Sequence, residues 1–138
     1  MADEQEIDKH LVAVVNEVLD AVYQAKQVAW SASPSPLREE LRELVAFLID
    51  QSGRFMVAEE SIGGRAPGMA SPSTHNRGNL VVEAGSHHAA VSLLTSRVEA
   101  LARHARTRAA SIGDAPEAQM LSELADGLEA RARRLQPS

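Results

Sequence analysis

The sequence predicts an all-α fold: an antiparallel up-and-down four-helix bundle with a long Gly/Pro/Ser-rich loop between helices two and three. Three observations carry that expectation. Apolar residues recur at helical spacing in four separate stretches, and short Ser/Pro or Gly/Asp/Pro turns join the first stretch to the second and the third to the fourth. Aromatic residues make up only 3% of the chain, while Ala, Leu and Val abound, a balance that suits helix packing better than a sheet. At 138 residues the chain is read as one helical domain spanning 1–138, long enough to bury a core.

Helix one is expected over residues 4–31. Asp3 followed by Glu6 has the spacing of a capping box, and Leu11, Val14, Val15, Val18, Val22, Ala25 and Ala29 make one stripe. The run Ser31-Ala32-Ser33-Pro34-Ser35-Pro36 ends it and starts the next helix, with Ser35 as N-cap and Pro36 at the first helical position.

Helix two is expected over 36–62, with Leu37, Leu41, Leu44, Val45, Leu48, Phe55 and Ile62 on its face. Gln51, Ser52 and Gly53 interrupt that stripe. A glycine here costs about 1 kcal/mol against alanine, which reads as a tight helix crossing, or as a polar pocket in the interior. Gly63-Gly64 supplies a left-handed C-cap.

The loop 63–86 carries five glycines and two prolines in 24 residues, too many for a continuous helix. Within it, Leu80-Val81-Val82 is equally a short strand, a helical turn or an apolar plug. Ser86 is the expected N-cap of helix three, 87–112, striped by Val91, Leu94, Val98, Leu101, Ala105 and Ile112 and closed by Gly113. Asp114, Pro116 and Glu117 start helix four, 115–135, striped by Leu121, Leu124, Leu128 and Leu135.

Composition narrows the function. The absence of cysteine removes disulfides, thiolate metal sites and a cysteine nucleophile. The acidic start and the lack of a long apolar run point to a cytoplasmic protein with no membrane partner. A net charge of −5, arginines scattered around helix three and a loop without aromatics argue against nucleic acid.

An up-and-down order would gather the start of helix one, the end of helix two, the start of helix three and the loop at one end. That end would collect four of the five histidines. His10, Glu59 and His87 are then candidate ligands for a divalent transition metal, although the Glu-x-x-His spacing of di-iron bundles is absent. Arg65, His75 and Arg77 of the loop are candidate contacts for an anionic ligand. No cofactor is the leading expectation, with a metal as the alternative.

Two further chemistries are legible. A helical histidine, His87, His88 or His104 (beside Arg103 and Arg106), suits phosphotransfer, and the need to face solvent favours His104 over His87. Glu39, Glu40 and Glu43 have the spacing of an acidic Mg-binding helix, but the nearest second acidic pair, Glu123 with Asp126, lies far off, and the dipole of a helix start explains the cluster.

The leading expectation is a binding or interaction protein that self-associates, most simply as a homodimer. Val28, Trp30, Phe47 and Met56 fall off the main stripes and would otherwise be exposed. The alternatives are a metal-binding or metal-dependent bundle enzyme and a histidine phosphotransfer bundle.

Overall fold

The computed structural model describes residues 3–63 and 80–136, and every regular element in them is helical. In chain order these are α1 (Glu4–Ser31), α2 (Pro36–Ser61), the one-turn α3 (Leu80–Ala84), α4 (His87–Ile112) and α5 (Pro116–Leu135). Among the described residues no helix is long and apolar enough to cross a membrane.

Local chemistry sets the boundaries. Asp3 accepts from the backbone N–H of Glu6 at 2.8 Å, Ser35 from Arg38 at 3.2 Å and Ser86 from Ala89 at 3.1 Å, so three long helices start on a side-chain cap. The fourth departs from expectation. Its N-cap is Ala115, without a side-chain bond, and Asp114 does not serve; Pro116 alone supplies the start signal. Gly63 and Gly113 turn the chain at the ends of α2 and α4 with φ of +83° and +62°, where only glycine is unstrained. Leu80-Val81-Val82 resolves as a helical turn that buries Leu80 and exposes Val82.

The buried faces make one cluster. Leu11, Val14, Val15 and Val18 of α1 meet Leu41, Leu44, Leu48 and Phe55 of α2, Leu94 and Val98 of α4, and Leu121, Leu124 and Leu128 of α5. Substantial packing links α1 to α2, α2 to α5, α5 to α4 and α4 back to α1, with α3 tucked against α1 and α4.

The direction of α4 corrects the sequence reading. An up-and-down order would run it parallel to α1, yet bonds between the two join the start of α1 to the end of α4 and the end of α1 to the start of α4. Glu17 binds Arg108 at 3.1 Å and His104 at 3.0 Å, Arg108 donates to His10 at 3.3 Å, and His87 donates to the carbonyl of Val28 at 3.1 Å. Hence α4 runs antiparallel to α1 and begins where α1 ends. Ion pairs Arg54–Glu123 at 3.6 Å and Glu43–Arg134 at 3.6 Å set α5 antiparallel to α2.

The physical reason lies in the connection. Gly63 stands beside the start of α1, whereas the N–H of Leu80 donates to Gln27 at 2.8 Å near the far end of α1. Seventeen peptide steps can span about 55–60 Å, ample for the length of these helices, so the short-turn rule does not govern this join.

Candidate functional site

The most distinctive surface is the outer face of α2. Its inward face buries Leu41, Leu44, Leu48, Gln51, Ser52, Phe55 and Glu59. On the opposite side Ala46, Ile49, Gly53 and Val57 are exposed at helical spacing. Ile49 is 46% and Val57 63% accessible, and Met120 of α5 extends this apolar floor.

Gly53 is the centre of that face. A Cβ built there would meet no atom within 4 Å, so the residue does not mark a helix crossing inside the molecule. The tight crossing lies elsewhere. A Cβ on Gly127 of α5 would fall 2.3 Å from the ring tip of Phe47. The guanidinium of Arg131 covers that ring at 3.9 Å and donates to the carbonyl of Gly127 at 3.2 Å.

The off-stripe apolar residues therefore divide. Val28 is fully buried, contrary to expectation, because α3 and the start of α4 close over that end of α1. Phe47 is packed on α5, and Met56 lies half-buried against the core. Trp30 is 73% exposed, with Lys26 Nζ 5.9 Å from its ring. Sequence reasoning missed Ile49 and Val57. The signal was present in Ile49, Gly53 and Val57 at four-residue steps, centred on the glycine that breaks the inner stripe.

The expected metal set is not assembled. His10 is held by Arg108 near the start of α1, and His87 by Val28 near its end. Eighteen residues of helix, about 27 Å, separate those contacts, so the two imidazoles cannot share an ion. The cause is the reversed direction of α4. Among the described residues no group of three His, Cys, Asp or Glu side chains is placed to hold a metal. Arg65, His75 and Arg77 lie outside the described residues.

Glu59 is the one expected ligand in an unusual setting. It is fully buried, and neither carboxylate oxygen has a hydrogen-bond partner. Burial pushes its pKa above the ordinary carboxylate value, and the nearby charges of Asp8 and Glu60 push it further the same way.

The acidic start of α2 does not converge on a site. Glu39 lies 3.8 Å from Arg42, and Glu43 turns to Arg134. His87 and His88 instead line a groove of about 720 Å³ with Glu40, Glu99 and Arg134. It opens where α5 ends, at the bond from Gln136 to Glu99 (3.4 Å), while α4 continues beyond. Its polar floor is internally satisfied, since Thr95 donates to the carbonyl of Val91 at 2.8 Å and His87 to Val28.

His104 is 59% exposed along its side chain, and its Nδ1 sits 3.0 Å from Oε2 of Glu17. No protein-family model matches the chain, and no curated protein matches it at significant similarity.

Proposed function

We propose that this protein is a four-helix-bundle interaction protein that self-associates, with the outer face of α2 as its docking surface. The observation that carries the reading is the stripe Ala46, Ile49, Gly53 and Val57, left open by the other described helices. Branched aliphatic side chains exposed in a row lose water on docking, at roughly 25 cal/mol per Å² of apolar area. A glycine in an exposed helix interior costs about 1 kcal/mol, and among the described residues no contact offsets that cost. A surface approached closely by another backbone would offset it.

The test is the molar mass by light scattering of wild type, Ile49→Glu and Val57→Glu. The reading expects a dimer for wild type and a monomer for both variants, each with unchanged helical circular dichroism. A dimer that persists in both variants removes α2 as the docking face.

A second reading rests on His104. If its Nδ1–H donates to Glu17, the lone pair stands on Nε2 of an exposed ring, the arrangement a phosphoryl acceptor needs. Incubation with phosphoramidate should then give an acid-labile phosphohistidine signal in ³¹P spectra, lost in His104→Gln. A wild-type protein that takes up no phosphate sinks this reading.

A further inference from the structure

We infer that the occupant of the α2 face is a second copy of the chain, docked antiparallel about a two-fold axis that crosses the exposed side of the helix at the level of Gln51. This rests on the reading of α2 as the self-association face and adds the partner's orientation and register.

The arithmetic of the helix carries it. Arg42 and Glu60 are eighteen residues apart, five turns, so they lie at the same azimuth on the exposed side of α2. Gln51 is midway between them. Two residues to either side of that midpoint stand Ile49 and Gly53, and five to either side stand Ala46 and Met56. In an antiparallel pair centred there, each residue stands level with the one equidistant on the other side, and the two face each other where both lie near the middle of the stripe.

That pairing is self-complementary along the exposed stripe. The Ile49 side chain of each copy lies over the space left by the other copy's Gly53, a protrusion into a gap, twice. On one edge of the stripe Ala46 faces Val57, and on the other Val45 faces Met56, each within one residue of level. At each end Arg42 of one copy faces Glu60 of the other. On one edge, Asp50 and Arg54 come within two residues of opposing each other across the axis. Among the described residues of the free chain Arg42 makes a loose contact with Glu39, at 3.8 Å.

A parallel pair fails the same inspection. It would set Arg42 against Arg42, Asp50 against Asp50 and Glu60 against Glu60, where like charges oppose association. It would also set Ile49 against Ile49 and leave both gaps at Gly53 unfilled.

The experiment is a charge exchange read by sedimentation equilibrium on Arg42→Glu, Glu60→Arg and the double variant, with Ile49→Glu as a control for the face. All three positions are on the exposed side of α2, and circular dichroism confirms the fold of each variant. The inference expects each single reversal to weaken dimerisation roughly tenfold and the double exchange to restore it to near wild type. Additive loss in the double variant overturns the antiparallel register. Inert charge reversals with a monomeric Ile49→Glu also overturn the register, while leaving α2 as the docking face. A monomeric wild type overturns both.

Discussion

The ring of Phe47 in α2 points its tip at the backbone of Gly127 in α5, where a Cβ would lie 2.3 Å from Cζ. Arg131, one turn on, covers the ring face at 3.9 Å and fastens to the Gly127 carbonyl. The absence of one side chain thus lets the two hairpins close on each other at the α2–α5 seam.

Gly127→Ala is expected to destabilise the protein, although alanine favours a helix. Relief of the glycine penalty is worth about 1 kcal/mol. The new methyl must displace Phe47 from beneath Arg131, and such overpacking costs typically 1–3 kcal/mol. Gly53→Ala has only the first effect, since nothing stands near its Cβ. In dilute solution, denaturant midpoints should therefore move in opposite directions: down for Gly127→Ala and up for Gly53→Ala. Equal upward shifts would contradict the close contact at Phe47.

Glu59 makes a prediction with a definite sign. Its folded pKa is raised above the ordinary 4.5, so the native state holds a proton that the unfolded chain releases. Stability contributed by this group is then full below that ordinary value and falls as pH rises towards the raised one. Glu59→Met removes an unpaired buried carboxyl and should stabilise by roughly 1–3 kcal/mol at neutral pH. The gain should shrink in acid. Urea unfolding of both proteins across pH checks it; a variant less stable than wild type at neutral pH would mean that Glu59 has a stabilising partner.

Helix identity was legible because periodicity and caps are local properties. Asp3, Ser35 and Ser86 announced three starts by chemistry that involves only the next three residues. The fourth start misled because Asp114 has the right side chain but Pro116 sets the boundary one residue after it. The direction of α4 was not legible at all. Nothing in the stripe of Val91, Leu94 and Val98 says whether it runs up or down beside α1. Only cross-helix contacts such as Glu17 with Arg108 decide that, and the expected grouping of His10 with His87 fell with it.

A double-mutant cycle on Glu17 and Arg108 tests the direction of α4 in solution. The pair is 3.1 Å apart with both side chains largely covered, and a coupling of about 1 kcal/mol is expected between Glu17→Gln and Arg108→Met. In a parallel arrangement Arg108 would stand near the end of α1, several turns from Glu17 at its middle, and the coupling measured by thermal unfolding would vanish.

Sedimentation equilibrium of the unmodified chain, from low to high micromolar concentration, tests the central claim most directly. The account predicts an apparent mass that climbs from the 14.8 kDa of one chain towards twice that value and no further, as a closed two-fold dimer requires. A mass fixed at 14.8 kDa throughout the range would contradict it.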